Sequence, residues 1–371
     1  MKITTLSSFP GVPFNDTLET FFDTYEVKED IECYQLLFCP YGRWTSFDDL
    51  YKIKFKTQTV ILNVIDFIID EYDNTAIDEL KKFCEDHPEN NFIIFNFHLG
   101  LGNQLKVPNL YLDTILSSNL TENLKHCEKK EISNRWLSLN LDTKLHRVMT
   151  VCYLLSKDYC DNGDFTFNME APTLVKYDKY KNITKISDKL RSDLSKGYKK
   201  FREKDFNLLN IRNFDKEDDR VASNYNNNLM PVYENIGVEI ITGTMFFERT
   251  PSLSEKETQS VYGKNFPIYL NGVGMVREIK KLFGIDTFDD IIDNSYDEIE
   301  DHFERLQAAI DRNQHLLDGS TNIRELWYDN RDRFEKNCSK MDSMIFDRSY
   351  QRIMNHEKIK KALNHFNVSF E

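Results

Sequence analysis

The chain has 371 residues, 40% of them hydrophobic and 13% aromatic, which is enough apolar mass for two packed domains and too much for a disordered polymer. Its formal net charge of -13 argues against a general nucleic-acid-wrapping surface, because neutralisation of phosphates by Lys and Arg supplies most non-specific affinity. Seven cysteines without a CxxC pair indicate neither a disulfide framework nor a zinc site, and they read as free thiols. The N-terminal MKITTLSSFPGVPF has no apolar signal core, and no stretch nears the roughly 18 apolar residues of a membrane span. A soluble cytoplasmic protein with no membrane partner is therefore expected.

In chain order, Gln35 to Phe38 and Thr59 to Asp66 read as buried strands, Ala76 to Cys84 as a helix and Asn91 to Phe97 as the next strand. Strands separated by helices predict βαβ units on a parallel sheet. The loop His98-Leu-Gly-Leu-Gly-Asn103 follows a strand, at the end of the sheet where ligands of open α/β folds bind. Trp136 to Asn140 reads as a strand and is followed by a helix carrying Leu145, Val148, Met149, Cys152 and Leu155 on one face, with Asp142 or Thr143 as its cap. Asp164 to Asn168 is a short strand. Residues 181–204 hold nine Lys/Arg against three acids, and 205–235 read as polar loop. Val238 to Thr242 and Phe266 to Leu270 are strands. Between them a short helix opens on the capping box Ser254-Glu-Lys-Glu257 and closes at Gly263. Met275 to Phe283 is a helix ended by Gly284, Thr287 and Ser295 read as further caps, and a last amphipathic stripe runs through Ile299, Phe303, Leu306 and Ile310. The rest, to Glu371, is helical and polar.

Two strand-to-helix junctions place cations where a helix begins. One is Asn140-Leu-Asp-Thr-Lys-Leu-His-Arg147, and the other is Ser254-Glu-Lys256. A helix N-terminus is already positive, so Lys or Arg there is electrostatically misplaced unless an anion sits beside it. Arg147 offers a planar fork for a diphosphate, Lys256 a point charge, and Glu255 two acceptor oxygens for a ribose. The same residues also read as surface cations of an amphipathic helix and as a plain capping box. Together they describe a nucleotide diphosphate cradle on one sheet.

The run ITGTMFFERTPSLSEKETQSVYGKNFPIYLNGVG, continued by LFGIDTFDDIIDNSYDEIED, resembles the donor-binding half of fucosyltransferase-type enzymes (glycosyltransferase family ten). It is closer still to glycosyltransferase-like proteins of bacteriophages and giant viruses. WLSLNLDTKLHRVMTVCYLLSK is similar to their strand-helix unit. The resemblance covers roughly residues 134–312. It implies two Rossmann-like domains facing a cleft (GT-B-like): an acceptor-side domain over 1–133, a nucleotide-sugar domain over 134–312 and a helical extension over 313–371. It further implies inverting transfer without a metal or other cofactor, Glu255 on the donor ribose, Lys256 on the diphosphate, His146 and Arg147 at the phosphate side, and Ser254 among the donor-binding residues. A viral relative would work in the host cytoplasm. Two departures stand out: Gly243 replaces an acidic residue of the family pattern, and Lys144-Leu145 stands where relatives carry an arginine.

Sugar transfer needs a base for the acceptor hydroxyl, and His98 is the first candidate, because imidazole titrates near neutrality. Asp66 is the second. The nine acids between Asp286 and Glu304 read as a solvated helix face rather than a metal site, and Asp70-Glu71-Tyr72-Asp73 only loosely mimics a metal-binding motif. The expected partners are a nucleotide-sugar and an acceptor that is a glycan, a small molecule or modified DNA; the basic stretch 181–204 with Tyr180, Tyr198 and Phe201 bears on the last. Two other readings remain at this stage: a nucleotide-binding scaffold of the same fold without catalysis, and a phage nucleic-acid glycosyltransferase.

Overall fold

The computed structural model describes residues 4–6, 32–35, 50–55, 58–63, 75–96, 105–111, 126–140, 144–167, 186–203, 230–243, 246, 251, 255–346, 360–362 and 364–366. The chain is a mixed α/β protein of two compact units. Unit 1 comprises Met1–Thr121, Thr250–Ser252 and Asp342–Glu371, and unit 2 comprises Glu122–Arg249 and Leu253–Met341. Residues 313–341, read from sequence as part of an extension, are therefore grouped with unit 2.

Unit 1 contains β1 (Thr4–Leu6), β2 (Glu32–Gln35), β3 (Thr59–Asn63), β4 (Asn91–Asn96) and β5 (Asn109–Tyr111), with helix α1 (Thr75–Asp86) between β3 and β4. The second strand begins at Glu32, before its apolar run indicated, and residues 36–38 and 64–66 fall outside the described set. All neighbours are parallel, in the order β1-β2-β3-β4-β5. The described strands of this unit follow one another in chain order, with no reversal. Ile77, Leu80 and Phe83 of α1 pack with Val60, Leu62, Phe92 and Ile94 in a core that also takes in Leu50 and Leu105.

Unit 2 is built on β6 (Trp136–Asn140), β7 (Gly163–Phe167), β8 (Val238–Thr242) and β9 (Phe266–Leu270), parallel and in the order β7-β6-β8-β9. The order reverses at β6, so the topological switch point lies between the C-terminal ends of β6 and β8. Every residue of β6, β8 and β9 is buried, which is why these strands read as continuous apolar runs rather than alternating ones.

Helix α2 (Leu145–Ser156) departs from its one-faced sequence pattern: all twelve of its residues are buried. Helix α3 (Asp188–Glu203), the basic segment, packs against it through Leu190, Leu194, Gly197 and Phe201. Gly197 permits the approach, because a Cβ there would lie 1.7 Å from the Cys152 carbonyl oxygen. Two of the basic side chains serve this packing. Lys196 donates to the Ser156 carbonyl at 2.7 Å, closing the last turn of α2, and Lys200 pairs with Asp158.

The remaining elements are α4 (Met230–Tyr233), α5 (Glu255–Gly263), α6 (Met275–Phe283), α7 (His302–Arg312), α8 (Gln314–Leu317), α9 (Ile323–Asp329) and α10 (Arg331–Phe346). Gly284, at φ 59°, ends α6 as expected. Thr287 and Ser295 do not cap helices. The Thr287 hydroxyl donates to Asp289, while Asp293 caps the 3-10 turn Asn294–Glu298 and Asp301 caps α7 by accepting from Phe303 and Glu304. A carboxylate is the stronger acceptor at a positive helix end, so the acids took these roles. The acidic run is accordingly not a plain solvated face. Asp286 and Asp290 grip Arg333, Asp289 pairs with Lys280, and Asp297 is buried against the start of α6, where burial pushes its carboxyl up to about 6. Among the described residues no group of His, Cys, Asp and Glu is placed to hold a metal ion, and no helix is long and apolar enough to cross a membrane.

Candidate functional site

The C-terminal edge of the second sheet gathers Asn140 of β6, Thr242 at the end of β8 and Gly243 after it, Asn271 after β9, and the first turns of α2 and α5. Helix α2 begins at Lys144, with φ -76° and ψ 153°, and Arg147 and Val148 both donate their amides to the Lys144 carbonyl at 3.1 Å. Lys144 therefore takes the cap position that the sequence assigned to Asp142 or Thr143; its side chain makes no capping bond, and those two residues lie outside the described set. The first turn contains no acid. A helix start with Lys144 and Arg147 and no carboxylate runs against the dipole preference.

His146 and Arg147 are not surface residues. They are 1% and 3% exposed. The His146 ring stacks on Phe246 at 5.2 Å and its Nε2 lies 2.7 Å from the Gly243 carbonyl oxygen; since a carbonyl only accepts, Nε2 carries the proton. Arg147 reaches the neighbouring carbonyl, with Nη2 3.4 Å from Thr242 O. Lys256, in the first turn of α5, is 8% exposed. Burial first, and then the charges of Arg147, Lys144 and Lys256, hold the His146 imidazole well below its usual range, while its bond to Gly243 acts the other way. The ring is thus neutral at physiological pH, and the ionised groups acting most strongly on it are all cations. Positive residues from both helix starts picked out in the sequence, Lys144 and Arg147 from one and Lys256 from the other, thus lower the same imidazole.

Two residues that the sequence did not single out complete this edge. Asn271 donates from Nδ2 to Glu257 at 3.0 Å and accepts from the Gly272 amide at 2.7 Å. A Cβ at Gly243 would meet the Asn271 side chain at 2.2 Å, so the close approach of Asn271 favours glycine there. Arg305 of α7 is 1% exposed and donates to the carbonyls of Asn271 (3.1 Å), Ile299 (2.7 Å), Glu300 (3.3 Å) and Phe246 (2.9 Å), with His302 Nδ1 at 2.9 Å. Its guanidinium lies over the Phe246 ring at 5.0 Å. Its position in register with Ala309, four residues on and fully buried, is the sequence signal that places it on the inner face of α7. Ser254, His98 and Asp66 lie outside the described residues; Glu255 opens α5, and its side chain is not among those described.

At the opposite edge of the same sheet a second buried polar group ties the chain together. Lys129 donates to the carbonyls of Tyr233 (2.7 Å) and Ile236 and to Asn265 Oδ1 (2.7 Å), and burial pulls it down to about 7. Glu239 of β8 accepts from Tyr233 Oη at 3.1 Å and Asn265 Nδ2 at 3.4 Å, and burial pushes it up to about 7.

No protein-family model and no curated protein matches the chain. Among solved structures it is similar to the crystal structure of accessory secretory protein 1,2 and 3 in Streptococcus pneumoniae, at 10% identity and a TM-score of 0.35, over 94% of this chain and 57% of that one. It is also similar to the Glycosylation Associate Protein (Gap123) complex from Streptococcus agalactiae, at 11% identity and a TM-score of 0.30, over 90% of this chain and 57% of that one. The chain thus spans somewhat more than half the length of the chains it matches, and neither likeness is close enough to carry a functional assignment.

Proposed function

We propose that unit 2 binds the diphosphate of a nucleotide-sugar and that the chain is a glycosyltransferase of the inverting, metal-independent kind. The observation that carries this reading is the burial of His146 and Arg147 against the Gly243 and Thr242 carbonyls at the switch point of the second sheet, with the charges of Lys144 and Lys256 also acting on His146. Open α/β sheets take ligands there, and a field built from cations and helix N-termini selects an anion. Such a cradle stabilises the charge that grows on a departing diphosphate, because its dipoles are already in place when the bond to the sugar breaks. Arg147 and Lys256 supply the charge. His146 anchors the Gly243 turn. Glu255 belongs to the ribose side, Ser254 is among the donor contacts, and His98 or Asp66 is the candidate base for the acceptor's proton.

The test is a titration of the full chain with pyrophosphate, UDP, GDP, CDP and their sugars, followed by thermal shift and calorimetry. A ligand that binds the native state raises its apparent stability. At least one nucleoside diphosphate should bind saturably, and Arg147→Ala and Lys256→Met should each lose about tenfold or more, the scale of one charge-assisted bond. Absence of binding by every diphosphate, or binding indifferent to both substitutions, overturns the reading. Donor hydrolysis or transfer then separates enzyme from scaffold: binding without turnover across the donor panel refutes the transferase half of the proposal.

A further inference from the structure

Within the second sheet one seam is different. β6 pairs with β7, and β8 with β9, over five residues each. Between β6 and β8 the described pairing covers only Trp136 with Val238 and Leu137 with Glu239. Beyond that point side chains hold the strands. Ser138 Oγ donates to Ile240 O at 3.0 Å, Asn140 Nδ2 donates to Ser138 Oγ at 2.9 Å, and the Thr242 hydroxyl donates to Asn140 Oδ1 at 2.7 Å. On the other flank the Asn140 amide donates to Thr166 Oγ1 at 2.8 Å. All four polar residues are 0–1% exposed.

A continuous main-chain ladder would join these strands without any buried polar side chain, and buried polar side chains are tolerated only when fully bonded. The polar seam therefore has a geometric effect that a ladder would not have: it holds two strand ends at a side-chain's distance. It does so at the switch point. The carbonyls just past the bridge are those of Thr242, which Arg147 reaches, and Gly243, which His146 holds.

We propose that the Asn140–Thr242 bridge is a positioning element of the anion site, setting the separation of β6 and β8 and thereby the places of Arg147 and His146. Neither Asn140 nor Thr242 touches the ligand. The inference rests on the anion-binding reading above and goes beyond it by naming what fixes the width of the cradle.

The test uses Thr242→Val, which removes the hydroxyl at nearly constant volume, and Thr242→Ser, which keeps it. Pyrophosphate affinity is measured by calorimetry on the full-length protein, at a temperature where circular dichroism shows each variant folded. The expected result is a loss of about tenfold or more in Thr242→Val and a return to within about threefold of wild type in Thr242→Ser. Rescue by Ser distinguishes a positioning hydroxyl from mere bulk. Should the Val variant not fold, Thr242→Cys, with a thiol that donates weakly, takes its place and should bind less tightly than Thr242→Ser. Equal affinities for Thr242→Val (or Thr242→Cys) and Thr242→Ser overturn the proposal, provided that wild type binds and Arg147→Ala binds at least about tenfold more weakly. If wild type itself fails to bind pyrophosphate, the anion site falls and the bridge with it.

Discussion

Replacing Arg305 with Met should cost unit 2 about 3 kcal/mol. Two of the carbonyls it satisfies, those of Asn271 and Phe246, are buried, and each loses its guanidinium donor. An orphaned buried acceptor costs about 1–3 kcal/mol, and the lost contact over Phe246 adds roughly 0.5–2. Against this stands the relief of no longer burying a cation. Among the described residues the partners of Arg305 are carbonyls and an imidazole rather than a carboxylate, and its pKa is pulled down to about 10, burial lowering it by more than the nearby Asp297 and Asp301 raise it. Removing such a charge returns a few kcal/mol of desolvation, which is why the net is nearer 3 than the sum of the losses. For a domain of this size about 3 kcal/mol lowers the melting temperature by roughly 6–12 °C. Arg305→Lys keeps the charge but not the fork, and should fall between the two. The assay is thermal unfolding followed by circular dichroism. A melting temperature within about 2 °C of wild type for the Met variant would refute the reasoning, showing that water serves those carbonyls as well as Arg305 does.

Gly197→Ala should destabilise despite the better helix propensity of alanine, because its Cβ would overlap the Cys152 carbonyl and force α3 off α2. Overpacking of about 1–3 kcal/mol outweighs a propensity gain near 1, and a chemical denaturation midpoint above wild type would contradict the close approach. Glu239→Gln should flatten one limb of the pH–stability curve. With the carboxyl raised to about 7, the native state keeps a proton between about 4.5 and 7 that the unfolded chain has lost, so stability falls as pH rises through that window. The loss is on the order of 3 kcal/mol at neutral pH, and the variant should lack it. Lys129, lowered to about 7, acts over a separate window, with stability rising from about pH 7 towards 10.5. A curve for Glu239→Gln that parallels wild type from pH 5 to 7 would show that Glu239 titrates normally.

Much of unit 2 was legible because its strands are buried on both faces. WLSLN, VEIIT and FPIYL appear as strands with the same bounds in sequence and structure, since continuous apolar runs bounded by turns admit few alternatives. What was not legible is what long-range packing decides. Nothing local in LHRVMTVCYLLS says that the end of β8 and Phe246 will enclose its first turn, so the sequence left His146 and Arg147 open to a reading as surface cations, whereas both are buried. The caps of the acidic run were misplaced for a related reason: Thr287 and Ser295 are good local caps, but Asp293 and Asp301 compete better once the turns are set by Arg305 and Arg333. Asn140 and Thr242 are ordinary polar residues at the ends of strands until the strand order brings them face to face.

The full enclosure of α2 also bears on how a ligand is met. Residues on a loop must surrender their freedom at the moment of capture, and that entropy is deducted from affinity. Residues on a helix wedged between a sheet and α3 gave up that freedom during folding. At the proposed anion site, an anion arriving at Arg147 meets a side chain already fixed by folding, so recognition there should resemble a key entering a lock already cut rather than a hand closing on an object.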